Sequence, residues 1–312
     1  MRIFDTHAHY DSRGFKEDRE EILRYIHEEQ DISVGRIVNN GADMASSYTS
    51  LKLAEEHDFI YAAVGVHPDS AGELIYCPEG YKVYEDDNGA QDKNGTPDQA
   101  EGTAEKRIVI PEDVCSKNRE ELRALTSNKK VVAVGEIGLD YHWDVWAREI
   151  QKKAFEWQWK LAEETGLPVI IHSRDAAEDT LKMVQGFYGD RTSGKGSGVN
   201  GSNVQAVMHC YSYSVEHAEE YLKLGLMFGI GGVVTFKNAK KLKEVVDMLP
   251  LDNIMLETDC PYMAPDPFRG KRNHSGYLTY VAEKIAEIKG VDVKKVYDVT
   301  WDNAVRFFMP SP

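Results

Sequence analysis

A (β/α)8 barrel is the fold class this sequence predicts, and three observations predict it. Eight short apolar runs recur along the chain, helical periodicity fills stretches between them, and most chemically capable side chains fall at the ends of those runs. The runs are RIFD, GRIVNNG, FIYAAVGVH, KVVAVGEIG, LPVIIHS, VQAVMHC, LMFGIGG and NIMLETD, short and apolar enough to read as buried strands. Helical segments follow at 16–29, 44–57, 112–126, 146–165, 175–185 and 214–224. Alternating strand and helix implies parallel pairing through right-handed crossovers, and eight such units close a barrel. A doubly wound open sheet is the competing arrangement.

The 312 residues suit one large barrel spanning 1–312 as a single domain, because α/β barrels routinely exceed ordinary domain length. Two segments interrupt the rhythm. Residues 70–107 are polar and turn-rich and read as a flap, and 188–203 (YGDRTSGKGSGVNGSN) reads as a flexible Gly/Ser loop.

A formal charge of −15 speaks against a broad basic groove along nucleic acid, though not against a local phosphate site. No apolar run is long enough to span a bilayer and no signal-peptide core follows Arg2, so a cytoplasmic protein without a membrane partner is expected. Cys77, Cys115, Cys210 and Cys260 lack CxxC spacing, which favours reduced thiols over a disulfide framework or a structural zinc cluster.

The chemistry collects at strand ends. His7 and His9 follow the first strand, Glu136 the fourth, His172 the fifth, His209 the sixth and Asp259 the eighth, and a barrel brings its C-terminal strand ends together on one face. A lone strand histidine is more often a hydrogen-bonded core residue than a ligand, but five strand ends aimed at one place are a different matter. His7 and His9 are two residues apart, so on an extended segment they share a face. The set offers nitrogen and oxygen donors for one or two divalent ions: zinc first, otherwise manganese, magnesium, nickel or iron.

Glu136 ends a fully apolar strand, where an unpaired carboxylate costs several kcal/mol, and a cation is its economical partner. Asp259 can ligate and also accept a proton from metal-bound water, with Glu257 in a supporting role. Cys210 and Cys260 are each next to a site residue, so alternation turns them outward. His27, His57 and His217 fall in polar helical segments and are expected at the surface. Arg174 follows His172, and Arg269, Lys271 and Arg272 follow the eighth strand. These basic islands in an acidic chain suit a substrate phosphate or carboxylate. His67, after the third strand, joins the same face.

The motifs FDTHAHYD, GVHP, GEIGLDYH, LPVIIHSRDA, HCYS, LETDCPYMAPDPFRGKRN and DNAVRFF, in order over nearly the whole chain, resemble the TatD family of metal-dependent hydrolases in the amidohydrolase-like barrel superfamily. The resemblance implies a TIM-type barrel with a divalent, often binuclear, metal site and deoxyribonuclease or other phosphodiesterase activity. It implies His7, His9, Glu136, His172, His209 and Asp259 as ligands, with Glu136 the bridge. Two departures bear on substrate choice. His274 and Ser275 stand where the family has Glu-Pro, and YSYS replaces a Phe-Ser-Gly-like turn.

The expected reaction is two-metal hydrolysis of a phosphodiester, with DNA ends or single strands as substrate and Asp259 as general base. Arg174, with Arg272 or Asn273, would hold the phosphate, and His67 would add a hydrogen bond or move a proton. No obligatory protein partner is evident. One rival is an amidohydrolase-type enzyme acting on a cyclic amide, lactone or phosphotriester; the carboxylated lysine common there would stand where this chain has Glu136. Another is a non-catalytic barrel binding nucleic acid or protein.

Overall fold

The computed structural model describes residues 2–83, 106–189 and 201–309. Eight strands form one parallel sheet in chain order: β1 (Arg2–Ala8), β2 (Ser33–Asn40), β3 (Ile60–Val64), β4 (Val131–Asp140), β5 (Val169–Arg174), β6 (Ala206–Met208), β7 (Met227–Ile230) and β8 (Ile254–Leu256). The two edges meet just beyond β8, where Ala8 bridges Cys260 in parallel and His9 N donates to Cys260 O at 2.9 Å. The predicted (β/α)8 barrel is thus formed.

The helices are α1 (Arg19–Arg24), α2 (Met44–Glu56), α3 (Glu112–Leu125), α4 (Arg148–Thr165), α5 (Ala177–Tyr188), α6 (Val215–Lys223), α7 (Lys240–Met248), α8 (Leu278–Lys289) and α9 (Val293–Phe308). The first expected helix, 16–29, is shortened to α1, which runs into a π-helical turn over Tyr25–Glu29. The last three helices lie beyond the segments picked out by periodicity. Local chemistry sets some ends: Asp43 accepts from Ser46 N at 2.6 Å while Ser46 Oγ accepts from Asp43 N at 2.9 Å, a reciprocal cap that starts α2.

Every strand contributes to an inner apolar layer of Phe4, Val38, Ala63, Ala133, Ile170, Val207, Met227 and Met255, with Phe307 and Phe308 of α9 packed against it. Side chains alternate along a strand, so the residue two places on shares the face. Ile170 is thereby followed on the axis by His172, Val207 by His209 and Met255 by Glu257. The core fixes where the polar cluster can be.

The two insertions divide on inspection. Residues 70–77, read from sequence as part of a loose polar flap, are packed. Pro68–Glu73 form a 3-10 turn with Ala71 and Leu74 buried, and Trp146 lies so close over Gly72 that a Cβ there would meet its ring at 2.1 Å. Tyr81–Val83 then pairs antiparallel with Lys106–Ile108. The rest of the expected flap, 84–105, lies outside the described residues, as does 190–200 of the Gly/Ser segment. That segment's ends are tied down, Tyr188 Oη donating to Val204 O at 2.7 Å and Trp159 Nε1 to Ser202 Oγ at 3.2 Å. All four cysteines are unpaired. No helix among the described residues is long and apolar enough to cross a membrane.

Candidate metal centre

Glu136 is the hub of the barrel mouth, only 5% exposed. Its Oε2 lies 3.4 Å from His7 Nε2 and 3.9 Å from His9 Nε2. Its Oε1 lies 2.8 Å from His172 Nδ1 and 3.6 Å from His209 Nε2. The two oxygens therefore face two separate histidine pairs. Asp259 joins the first pair, with Oδ1 3.2 Å from His9 Nε2 and 3.8 Å from His7 Nε2. All six residues singled out in the sequence as ligands meet here.

Backbone geometry makes room for this. Gly138, with φ +145°, faces His172 across the β4–β5 pairing, and a Cβ there would meet His172 O at 1.9 Å. Only glycine fits that approach. A Cβ on Gly229 would likewise meet Glu257 Oε2 at 1.9 Å, so the missing side chain leaves the space Glu257 fills beside His209. Asp259 leaves β8 with φ +55°, held by Asp259 N donating to His7 O at 2.8 Å.

Burial and charge pull in opposite directions through the cluster. Burial disfavours the Glu136 carboxylate, yet His7, His209 and His172 hold it well below the usual range. Asp259 is lowered against its burial by His9 and His209. Burial works against charge on His9 and His172 too, but Asp259 lifts His9 to about 9, and Asp140 with Glu136 lifts His172 to about 10. His67 is pushed the other way, to about 3, by burial and by His172.

The donor set fits a cation. His9 Nδ1 donates to Asn40 O at 3.0 Å, which leaves Nε2 aimed at His7 Nε2, 3.1 Å away, and at two carboxylates. Two facing ring nitrogens cannot both be acceptors without something positive between them. In a tetrahedral site with metal–nitrogen bonds of about 2.0–2.1 Å, neighbouring ligand atoms sit about 3.3 Å apart, close to the shorter spacings here. His209 Nδ1 lies 3.1 Å from Glu257 Oε1 but off the hydrogen-bond direction, and buried His7 Nδ1 has no hydrogen-bond partner among the described residues.

The expected substrate contacts are placed differently from one another. Arg174 is exposed at the end of β5, its guanidinium 5.5 Å from the Trp143 ring centroid. His67 stands edge-on to His172 at 4.2 Å, and its Nδ1 accepts from Asp69 N, which turns Nε2 toward Glu136, 4.0 Å off. Arg272 instead grips both Asp18 oxygens at 2.7 and 2.5 Å and donates to Gly14 O. Asn273 is 1% exposed, and its amide hydrogens go to Thr258 O and Tyr262 O at 3.0 and 2.8 Å. Arg269 stacks on Phe236 at 4.4 Å, and Lys271 is exposed. His27 packs flat on Phe59, and His57 and His217 pair with Glu20 and Glu178 away from the cluster.

Cys210 corrects one expectation. Its backbone has φ +46°, which breaks strand alternation; its N–H donates to Glu257 Oε1 at 2.5 Å and its Sγ meets Met263 Sδ at 3.8 Å, so it lies beside the centre rather than facing the helices. Cys260 does pack into the apolar core.

Two acidic residues escaped the sequence reading. Asp140 Oδ2 meets His172 Nε2 at 3.0 Å while its Oδ1 accepts from His142 N and Trp143 N. Asp5 accepts from His7 N, Thr258 N, Thr258 Oγ1 and Ser275 Oγ. Each shares strand alternation with a residue that was singled out, Asp140 with Glu136 and Asp5 with His7, and that was the available signal.

A parallel barrel whose strand ends converge on histidines and carboxylates is the architecture of a metal-dependent hydrolase. The family described as TatD related DNase matches residues 4–309, and the chain belongs to it. A Bacillus subtilis protein named uncharacterized metal-dependent hydrolase YabD is 38% identical over 306 residues, covering 98% of each chain. A Rahnella protein named 3'-5' ssDNA/RNA exonuclease TatD is 28% identical over 315 residues, covering 99% of each. Among solved structures, the TatD homologue YJJV of Escherichia coli superposes with a TM-score of 0.74 at 27% identity, covering 98% of this chain and 97% of that one.

Proposed function

We propose that this metal-dependent hydrolase cleaves phosphodiester bonds of DNA, at chain ends or in single strands. The observation that carries the reading is the division of Glu136, one oxygen toward His7 and His9, the other toward His172 and His209. In this reading His7, His9 and Asp259 would hold one divalent ion, His172 and His209 a second, and Glu136 would serve both. The related Rahnella protein's name supports a nucleic-acid substrate. The histidine-rich set makes zinc the first choice over manganese, magnesium, nickel or iron.

Bound ions would supply a water acidified to near neutrality and positive charge against the phosphoryl oxygens. The protein's own groups do the rest. Asp259, kept ionised beside His9, accepts the proton of the attacking water. Arg174, exposed at the rim, neutralises the phosphate. His67 presents Nε2 to a substrate oxygen. Arg272 and Asn273 act one step back: through Asp18, Thr258 and Tyr262 they brace the loop that follows Asp259.

The test is metal analysis of the purified protein beside incubation with end-labelled single-stranded DNA, with and without chelator. Chelator-sensitive shortening of the label is the expected result, and Asp259→Asn should abolish it while the protein stays folded. DNA left intact under every divalent metal, with a lactone or dihydropyrimidine turned over instead, would exclude the nuclease reading.

A further inference from the structure

Tyr262 is 60% exposed, more than any other large apolar side chain among the described residues. It is held rigidly at the mouth: Tyr262 N donates to Asp259 O at 3.0 Å, and Tyr262 O accepts from Asn273 Nδ2 at 2.8 Å. Exposing a ring on a braced backbone forgoes the burial that most aromatic side chains obtain and leaves its face open to a ligand.

A second ring stands across the mouth. Trp143 follows β4, its N–H donating to Asp140 Oδ1 at 3.1 Å, and the other oxygen of that carboxylate meets His172. The Arg174 guanidinium lies over its ring, 5.5 Å from the centroid. In a barrel ordered as this one is, the ends of β8 and β4 lie on opposite sides. One aromatic surface thus flanks the cluster at Asp259 and the other at His172.

We infer that Tyr262 and the Trp143–Arg174 pair are stacking platforms for the two nucleobases on either side of the scissile phosphate. The inference rests on the phosphodiesterase reading and deepens it. Every base has a π-face, so stacking is tolerant of sequence, and it needs no basic groove. That suits a chain of net charge −15, a balance that works against the broad cationic surface by which nucleic acid is usually held. Arg174 then serves twice, its charge near the phosphate and its guanidinium continuing the stack over the Trp143 ring.

The test uses the metal-loaded enzyme and two dinucleotides: thymidylyl-thymidine, and its analogue with both thymines replaced by abasic tetrahydrofuran. The readout is the ratio of kcat/KM for the two. Wild type should prefer the base-bearing substrate, and Tyr262→Ala and Trp143→Ala should each lower that preference roughly 5- to 150-fold. Tyr262→Phe, which keeps the ring, should retain it. If the alanine variants lower both rates equally and leave the ratio unchanged, the platforms are wrong while the phosphodiesterase reading stands. Cleavage of neither dinucleotide, with or without bases, overturns both.

Discussion

The amide of Asp259 donates to the carbonyl of His7 at 2.8 Å, so the seam that closes the barrel also sets the spacing of two proposed ligands. Thr258 reinforces it by donating from Oγ1 to Asp5 Oδ2 at 2.7 Å, and Asp5 accepts from His7 N at 3.2 Å. Barrel closure and the first half of the candidate centre are therefore one hydrogen-bonded unit. Damage to either should be felt by the other.

Asp5 tests this coupling. Its carboxyl is pushed up to about 7 by burial, against the hydrogen bonds from Ser275, Thr258 and the backbone. Asp5→Ala leaves several buried donors without an acceptor and should cost about 3 kcal/mol or more. Asp5→Asn keeps an oxygen for the two amides, and the hydroxyls of Thr258 and Ser275 can turn to accept from its NH2, so about 1 kcal/mol is expected. Denaturant unfolding of the metal-free protein checks the order. Equal losses would mean that the seam does not depend on these bonds.

Gly138 and Gly290 make a controlled pair. Both have positive φ, +145° and +61°, but a Cβ on Gly138 runs into His172 O, whereas none of the described residues comes within 4 Å of one on Gly290. Gly290→Ala should cost about 1 kcal/mol, the usual penalty of the left-handed conformation. Gly138→Ala adds a backbone collision that must separate β4 from β5, and about 3 kcal/mol or more is expected, with weaker metal binding. Thermal melts and metal titration of both variants would show it, and similar melting temperatures would count against the account.

Much of this was legible in the sequence because a parallel barrel writes itself plainly. Strands covered on both faces read as unbroken apolar runs, and a side-chain period of two carries His172 and His209 onto the axis. Partnerships across the chain were not legible. The sequence offers the Arg272 guanidinium but not its partner Asp18, 254 residues away. Asp5 looks like an incidental acid until Ser275, 270 residues on, donates to it. Cys210 failed for a local reason, since alternation stops where φ turns positive.

Asp140 is predicted to set how His172 is presented. With Asp140 Oδ2 3.0 Å from Nε2, the nitrogen left for an ion is Nδ1, on the Glu136 side. Replacing such a carboxylate partner typically weakens metal affinity 10- to 100-fold. Asp140→Asn should do so, measured by competition with a chromogenic chelator, and should bind fewer ions per chain at limiting metal. Unchanged affinity would show that His172 needs no partner.

His274, in the segment that follows the last strand, gives a pH prediction away from the candidate centre. Burial first, and then the nearby Arg272 charge, lower it from 6.5 to about 4, and its Nδ1 accepts from Gly276 N at 3.2 Å. The native protein therefore binds fewer protons here than the unfolded chain. The stability this group contributes is present above pH 6.5 and is lost as pH falls from 6.5 toward 4, with a slope approaching about 1.4 kcal/mol per pH unit. His274→Gln keeps an acceptor for Gly276 N but cannot titrate. Urea midpoints at pH 7, 5.5 and 4.5 should fall less steeply for the variant than for wild type. Parallel curves would mean that His274 opens to solvent before it is protonated.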